Sequence, residues 1–387
     1  MSRPFIYIDT QEAVRSALEV LRRSPWAAAD TEADSLHHFK EKLCLIQISV
    51  PDADYVIDPL AGADLSGLAE ALSGKTIVFH GADFDVRMLR RVCDLRPKAI
   101  FDTLIAAQLL GYPKQGYADL AERHCGVKLS KSAQKADWSR RPLEKSMLEY
   151  AANDTYHLGE IRFKMEEELV AAGRLEWHRQ NCSRLLEGLL VERAEEPDEL
   201  PPWQIKGSKD LPPRGLTALK ELWFWRDEVA QKKDRPRFKV LHSETLIELA
   251  QFFASPNWRG DAGECPKAPI NVRGEYRAAL NACFKKAETA EPVRFQYPPK
   301  TPRKRWTNTD SSRFTALKTA RQRVAEKLAL QPSLVATNAV LEDIAALNPA
   351  DPAALSACGR LLPWQVQEAG EAFLHALRHH DTAEYKQ

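Results

Sequence analysis

Short apolar runs alternate with amphipathic stretches through the N-terminal half of the chain. The first three runs follow one another through short connections, which favours antiparallel pairing, whereas helix-sized segments separate the later ones and favour parallel crossovers. We therefore predict an α/β domain, with a mixed five-stranded sheet and helices on both of its faces. The five predicted strands are Trp26 to Thr31, Leu43 to Val50, Tyr55 to Ile57, Thr76 to His80 and Ala99 to Phe101.

Apolar residues at helical spacing fill the segments between and after these runs. A first helix is predicted after Phe5 to Ile8, where Thr10 precedes the apolar positions Val14, Leu18 and Leu21. Further helices are predicted over Leu65 to Leu72, Phe84 to Cys93, Thr103 to Leu110, Tyr117 to Cys125, Leu143 to about Gly173, and Leu175 to about Arg193.

The composition changes at an acidic, proline-rich stretch from Glu195 to Pro202, which is typical of a linker. Beyond it the pattern is helical throughout, and the segment starting at Leu216 (LTALK) recurs in similar form at Phe314 (FTALK). This faint repeat predicts two small helical bundles, and one larger helical domain is the alternative. The predicted boundaries are 1–195 for the α/β domain, 196–210 for a linker, 211–290 for a first bundle, 291–311 for a basic linker and 312–387 for a second bundle.

Composition narrows the class of protein. Of the 387 residues 44% are hydrophobic and 28% are charged, and the net charge is only +1, so any affinity for nucleic acid must come from a local arrangement of charges. The seven cysteines form no CxxC pair, which argues against a zinc ribbon or a disulfide framework and for a reducing compartment. No apolar run approaches the ~20 residues of a membrane span, and the N-terminus lacks a signal-peptide core. We expect a soluble cytoplasmic protein.

The strand beginning at Trp26 ends on two carboxylates. Residues two apart on a strand share a face, so Asp30 and Glu32 are expected to project together, with Thr31 turned the other way. Two adjacent carboxylates repel each other unless a cation lies between them, and hard oxygen ligands suit Mg²⁺ or Mn²⁺. The pair therefore indicates a metal site, although acids at strand ends are usually only solvated.

Two further signals lie downstream. Asp85 falls in the first turn of a helix that follows a buried strand, where an acid can also serve to complement the helix dipole. We expect Asp83 to be the cap of that helix, which leaves Asp85 available for the site. Tyr150 and Asp154 are four residues apart and so share one helix face. Asp102 is expected to have a structural role at a helix N-terminus.

The acids Asp30, Glu32, Asp85 and Asp154, together with Tyr150, form a pattern suited to phosphoryl chemistry. Two divalent ions roughly 4 Å apart can clamp the attacking and leaving oxygens of an in-line displacement. Tyr150 could orient the attacking water. These five residues are our candidate catalytic set, and the four acids are the candidate metal ligands.

In this pattern the chain resembles the DEDD superfamily of 3′→5′ exonucleases, in the subclass with Tyr in the third motif. The segments Leu43 to Ile48 and Lys131 to Asp154 resemble the runs after the first motif and around the third. The C-terminal bundles resemble helicase-and-ribonuclease-D C-terminal (HRDC) domains, with a good match over Trp203 to Ala250 and a weaker one over Asn348 to Leu361. Nearly the whole chain thus resembles the bacterial ribonuclease D family.

The resemblance implies a ribonuclease H-like sheet and a 3′→5′ exoribonuclease that trims structured RNA, notably tRNA precursors, to release 5′-mononucleotides. It also implies two divalent metal ions, Mg²⁺ or Mn²⁺. Asp30, Glu32 and Asp154 would hold the tighter ion, with Asp30 bridging to the second, and Asp85 would support the site partly through water. A monomer is expected.

Candidate RNA contacts lie outside the acid set. His37 and His38 fall where the 3′-terminal nucleotide is expected to bind, or on the rim of that site. His80 is a third candidate contact, and the alternative is a core histidine whose hydrogen bonds are satisfied within the protein. Phosphates need Lys or Arg, and unpaired bases need planar groups. Trp138 and the surrounding basic residues form a candidate channel wall, with a solvated basic loop as the alternative; these basic residues are Lys128, Lys131, Lys135, Arg140 and Arg141.

A stronger basic segment extends from Lys300 to Lys327, with nine basic residues against two acidic ones and with Trp306 among them. It is a candidate RNA contact, since it stands out in a chain of nearly balanced charge. Two alternatives remain at this stage. A DNA 3′→5′ exonuclease would use the same acids, and a non-catalytic RNA-binding adaptor on an inactivated exonuclease fold would be expected to lack some of them.

Overall fold

The computed structural model of the protein describes residues 4–130, 132–191, 200–297 and 306–382. Within these ranges, residues 4–33, 43–191 and 306–382 form one compact unit, which we call the sheet unit. Residues 34–42 and 200–297 form the other, which we call the helical unit. Among the described residues, no helix combines the length and the apolar character needed to cross a membrane.

The sheet has six strands, one more than the sequence predicts, in the order β1-β4-β3-β2-β5-β6. The additional strand pairs in parallel with β4, through Ile6 opposite Tyr55. It was missed because three residues at a sheet edge are too few to show an alternating pattern. The pairs β2/β3 and β3/β4 are antiparallel, and β2/β5 and β5/β6 are parallel, as predicted. The strands are β1 (Ile6–Ile8), β2 (Trp26–Ala33), β3 (Leu43–Val50), β4 (Ala53–Ile57), β5 (Thr76–Phe79) and β6 (Ala99–Asp102).

Helices cover both faces of this sheet. One core forms between the sheet and the first three helices, and α6 packs on the opposite face over Leu45 and Val56. The helices are α1 (Gln11–Arg23), α2 (Gly67–Leu72), α3 (Asp83–Cys93), α4 (Thr103–Leu109), α5 (Tyr117–Cys125), α6 (Lys145–Tyr156), α7 (Leu158–Ala171) and α8 (Leu175–Leu190).

The single helix predicted from Leu143 to about Gly173 is two helices that meet at His157. The Tyr117 hydroxyl donates to the Asn153 carbonyl (2.6 Å) and accepts from the His157 amide (3.4 Å). A side chain inserted between a carbonyl and the amide four residues later interrupts the helical ladder. Beyond the break Gly159 lies against the ring of Trp26, where a Cβ atom would come within 2.2 Å of a ring carbon.

The last helices of the chain belong to the sheet unit. Trp364 is buried and stacks on Trp177 of α8, with ring centroids 4.5 Å apart. Arg174 donates to the carbonyls of Leu109 and Leu328 (both 2.6 Å), which joins α8 to this C-terminal bundle. Its helices are, in order, Asn308–Leu328, Pro332–Val335, Asn338–Leu347, Pro352–Ala357 and Pro363–Arg378.

The helical unit has its own apolar core, in which the rings of Phe253 and Phe284 stack with centroids 4.8 Å apart. The segment between β2 and β3 belongs to this unit, because Asp234 pairs with His38 (2.7 Å) and accepts from the Phe39 amide (3.1 Å). Its helices are, in order, Pro213–Lys232, Arg237–Val240, Ser243–Ala254, Ile270–Arg273 and Arg277–Thr289.

Candidate active site

The predicted acid pair lies at the end of β2, in the centre of the sheet. Ala27, Ala28 and Ala29 are fully buried, so helices can approach this strand closely on both sides. The strand then becomes half-buried at Asp30 and Glu32, whose side chains share the face covered by α6. The acids follow Ala28, the last residue of β2 that pairs with β5, whereas their pairing with β3 continues.

Helix α6 brings the third carboxylate to the pair. Carboxylate oxygens of Asp30, Glu32 and Asp154 all lie within 4.8 Å of one another. The helix is held on the sheet by a hydrogen bond between Ser49 of β3 and Thr155 (2.8 Å). Tyr150 lies one turn before Asp154, and the two side chains are hydrogen-bonded to each other. The structure thus brings together four of the five predicted catalytic residues.

The fourth acid approaches from the other side of the sheet. Asp85, in the first turn of α3, is 5% exposed, and its Oδ1 accepts from the Thr31 hydroxyl (2.6 Å). Thr31 turns away from the acid pair as predicted, but it was not recognised as the residue that holds Asp85. An alternating strand with a hydroxyl between two acids is the only local signal that could have indicated this role.

Asp102 fixes the turn that precedes α3. Its carboxylate accepts from the amides of Gly81 (3.0 Å) and Ala82 (2.8 Å) and from Leu104 at the start of α4 (2.8 Å). The predicted structural role of Asp102 is therefore correct. The predicted capping role of Asp83 is wrong, because the α3 N-terminus has no side-chain cap and Asp83 pairs with Arg87 (2.7 Å) on the surface.

The acids repel one another in the absence of a cation. Burial, together with the charges of Asp85, Asp154 and Glu32, raises the pKa of Asp30 well above its ordinary value. Burial and the charges of Asp154 and Asp85 raise the pKa of Glu32 to about 9. Burial also raises the pKa values of Asp85 and Asp154, against the effect of the hydroxyls bonded to them. Burial and the nearby carboxylates raise the pKa of Tyr150, so its hydroxyl stays protonated at neutral pH.

This donor set fits a hard divalent cation. Three convergent carboxylates supply the oxygen ligands that such ions prefer, and the charges that raise the pKa of Asp30 all come from other carboxylates. A divalent ion removes that repulsion and holds the acids ionised. Asp30, Glu32 and Asp154 can bind one directly, with Asp85 close enough to interact electrostatically with Asp30.

The three histidines proposed as RNA contacts have protein partners. His80 Nδ1 bonds Thr103 Oγ1 (2.9 Å), and the Thr103 hydroxyl donates to the Phe79 carbonyl (3.1 Å). These bonds agree with the alternative interpretation of His80, a core histidine whose hydrogen bonds are satisfied within the protein. His38 pairs with Asp234 within the helical unit, and His37 is half-buried in the same segment. Direct contact of any of these histidines with RNA stays a prediction.

Two predicted channel residues have structural roles instead. Trp138 is 1% exposed, and its ring lies 6.0 Å from that of Tyr150, so no base can stack on it; its assignment as a substrate contact is wrong. Arg141 bonds the buried carboxylate of Asp58 through Nε (2.6 Å) and Nη2 (2.7 Å), so it has a structural role, and its contact with phosphate stays a prediction. Lys135 and Arg140 are exposed, Lys128 pairs with Glu122 (3.6 Å), and Lys131 lies outside the described residues.

Comparisons with known proteins agree with this geometry. A family model described as a 3′-5′ exonuclease matches residues 5–170, and an HRDC domain model matches residues 216–255 and 310–377. The chain is 29% identical to ribonuclease D of Nitrobacter hamburgensis, over 96% of the chain and 94% of that protein. It is 33% identical to ribonuclease D of Xanthomonas oryzae pv. oryzae, over 65% of the chain and 70% of that protein.

A solved structure covers almost the whole chain. Escherichia coli RNase D, described as an exoribonuclease involved in structured RNA processing, superposes with a TM-score of 0.67 and 26% identity, over 97% of this chain and 99% of that one. The RNA and exonuclease interpretations of the acid site therefore have independent support in sequence and in fold. On this evidence the chain belongs to the ribonuclease D family and is a 3′→5′ exoribonuclease that acts on RNA.

Proposed function

We propose that the acid cluster binds two divalent metal ions, Mg²⁺ or Mn²⁺, and that the enzyme removes nucleotides one at a time from RNA 3′ ends as 5′-mononucleotides. The observation that carries this proposal is the convergence of Asp30, Glu32 and Asp154 within 4.8 Å. Two divalent ions in such a site stabilise the attacking and leaving oxygens of an in-line displacement at phosphorus.

The acids divide the ligand positions between them. Asp30 is central, because the charges of Asp85, Asp154 and Glu32 all raise its pKa. It would hold metal together with Glu32 and Asp154, whose oxygens converge with its own. Asp85 contributes from the other layer of the sheet, where the Thr31 hydroxyl fixes one of its oxygens.

Tyr150 positions the attacking water and does not act as a base. A phenol whose pKa is raised keeps its proton at neutral pH, so its oxygen can accept a hydrogen bond from water while its proton stays bonded to Asp154. The proton lost by the water must then leave by another route. Packing of the Tyr150 ring against buried Trp138 restricts the motion of the hydroxyl.

We also propose that the first helix of the C-terminal bundle, Asn308–Leu328, contacts the RNA backbone. Lys318 and Lys327 are exposed on it, and the Trp306 ring just before it is 43% exposed. Arg313 and Arg321 instead bond Asp310 and the Ala336 carbonyl, so they contribute less. Arg323 is also exposed on this helix, and the other basic residues of the predicted patch, Lys300, Arg303, Lys304 and Arg305, lie outside the described residues.

A role in tRNA 3′ maturation and stable-RNA processing is proposed on the family resemblance. The cytoplasmic location, the monomeric state and the domain boundaries predicted from the sequence also stay proposals. The E. coli relative is described as acting in structured RNA processing, which is consistent with this role.

The decisive experiment uses purified protein with Mg²⁺ or Mn²⁺ and matched 5′-labelled RNA and DNA strands, each with a free or a blocked 3′ end. We expect a ladder that shortens from the free 3′ end of RNA, that EDTA abolishes and that a blocked end prevents. Equal cleavage of DNA would favour a DNA exonuclease. Binding of RNA without cleavage would favour the non-catalytic adaptor.

Charge reversal tests the RNA surface separately. Lys318→Glu with Lys327→Glu is expected to weaken binding of a tRNA-sized substrate and to reduce the salt dependence of binding, since two phosphate contacts are lost. Lys285→Glu, an exposed position on Arg277–Thr289 of the helical unit, is the matched control. Equal loss in both variants would show that the effect is general electrostatics.

A further inference from the structure

A buried amide lies directly across the sheet from the central acid of the site. Gln47 of β3 is the pairing partner of Asp30 of β2 in the antiparallel ladder. Side chains of directly opposed residues project to the same face, with Cβ atoms about 5 Å apart. Gln47 therefore lies on the face covered by α6, beside the carboxylate that interacts with all three other acids.

Gln47 lacks hydrogen bonds in this position. The residue is 0% exposed, and neither its side-chain oxygen nor its side-chain nitrogen has a hydrogen-bond partner among the described residues. Buried polar groups in native proteins nearly always have partners, and an exception calls for an explanation such as a role at a functional site. The next polar residue on the same face, Ser49, is satisfied within the protein through Thr155 (2.8 Å).

We propose that Gln47 is a positioning residue for Asp30, whose carboxylate accepts a hydrogen bond from the Gln47 amide nitrogen when the proposed metal ions are bound. The inference rests on the proposed metal site. With ions bound, the ionised carboxylate has lone pairs for the ions and for one more donor.

The chemistry of an amide suits this task. A Lys or Arg at this position would neutralise the acids itself and compete with the ions, whereas an amide donates a hydrogen bond and adds no charge. Donors that bond metal-ligating carboxylates fix their orientation, and their loss typically lowers metal affinity or activity by about 10- to 100-fold. Gln47 would thus fix the orientation of the Asp30 carboxylate.

The test compares Gln47→Met with Ser208→Ala in the full-length protein. Met keeps the length of the side chain and removes both unsatisfied atoms, so we expect a melting temperature of the metal-free protein that is unchanged or higher. We expect Mn²⁺ affinity, measured by calorimetric titration, to fall by about tenfold or more. Ser208→Ala removes another buried polar atom that lacks a partner among the described residues, but it lies in the helical unit, so it should leave both the melting temperature and Mn²⁺ affinity unchanged.

Each outcome has one meaning. Unchanged Mn²⁺ affinity in Gln47→Met would overturn the proposal, and a lower melting temperature with unchanged affinity would assign Gln47 a purely structural role. If Gln47→Met does not fold, Gln47→Leu repeats the comparison. A parallel titration of Asp154→Asn separates the two proposals: Mn²⁺ affinity that this substitution leaves unchanged would instead refute the metal site itself.

Discussion

In the sheet unit, two tyrosine hydroxyls each bond an aspartate, and only one of these two Tyr–Asp pairs includes an arginine. In the first, the Tyr7 hydroxyl donates to Asp58 (2.6 Å) and Arg141 donates to both oxygens of the same carboxylate. In the second, Tyr150 is bonded to Asp154, whose other neighbours include Asp30 and Glu32.

Arg141 reverses the direction in which the pKa of the aspartate shifts. Burial alone would raise the pKa of Asp58, but the hydrogen bonds from Arg141 and Tyr7 and the Arg141 charge hold it below its ordinary value. At Asp154 burial dominates, and the pKa is raised. At the first pair, Arg141 supplies the positive charge that balances Asp58. At the second pair, a bound cation would have to supply the charge that balances Asp154. A buried carboxylate without its own cation therefore distinguishes a binding site from a structural ion pair.

The largest expected effect comes from removing a charge at the second pair. Asp154→Asn removes a metal ligand and little volume, so hydrolysis of 5′-labelled RNA should fall by about a thousandfold or more. The metal-free variant should melt at the same or a higher temperature, because one repelling carboxylate is gone. Asp58→Asn is the control with the opposite signature, a lower melting temperature with turnover per folded molecule unchanged. Wild-type turnover in Asp154→Asn would contradict the assignment.

Breaking the first pair should cost stability. Arg141→Met leaves the Asp58 carboxylate buried without its cation, which should lower the free energy of unfolding by about 3 kcal/mol. Urea denaturation measures this change. Arg140→Met, at the exposed neighbouring position, should change it by less than about 0.5 kcal/mol. Equal effects in the two variants would mean that the ion pair contributes nothing.

The two tyrosines offer a matched substitution. Tyr150→Phe should lower kcat by about a hundredfold, because the attacking water is no longer oriented, and it should leave the fold intact. Tyr7→Phe should lower the free energy of unfolding by about 1 kcal/mol and leave kcat unchanged. Single-turnover hydrolysis and urea denaturation of both variants check this. A loss of kcat in both would show that the two pairs are not functionally distinct.

The pH dependence of stability compares the two regions without a substitution. Glu32 has a folded-state pKa of about 9 against an ordinary 4.5, so between these values the native protein holds a proton that the unfolded chain lacks. The metal-free protein should therefore lose stability as pH rises through this window, and added Mg²⁺ should reduce the loss. Asp58, with its lowered pKa, stabilises above its ordinary pKa and loses this contribution as pH falls. Melting temperatures from acidic to alkaline pH, with and without Mg²⁺, test both trends.

The sequence alone predicted which acid and tyrosine side chains lie side by side, because each such pair belongs to one strand or one helix. Strand alternation places Asp30 beside Glu32, and helical spacing places Tyr150 beside Asp154. The roles of Arg141 and Tyr117 depend on partners far away in the chain, since Asp58 is 83 residues from Arg141 and Asn153 is 36 residues from Tyr117. Such partners leave no periodic signal, so a cation near an aromatic residue was interpreted as an RNA contact.

The same limit applies to the edge strand Ile6–Ile8 and to the C-terminal bundle. A faint repeat indicated two similar bundles, but it carried no information on which surface each one covers. The placement of Trp364 on Trp177 follows from the apolar surface of α8, which no local pattern identifies.

That stacked tryptophan pair bears on how such chains evolve and how they can be engineered. In sequence the C-terminal bundle looks like an independent domain. Its removal would nevertheless expose apolar surface of the catalytic domain, because Leu330 and Trp364 share a core with Trp177. Loss or exchange of the bundle is therefore expected to require compensating substitutions on α8. Heating should melt the bundle and the catalytic sheet in one cooperative transition. Selection for stability is therefore expected to keep the bundle and the catalytic sheet together in one chain.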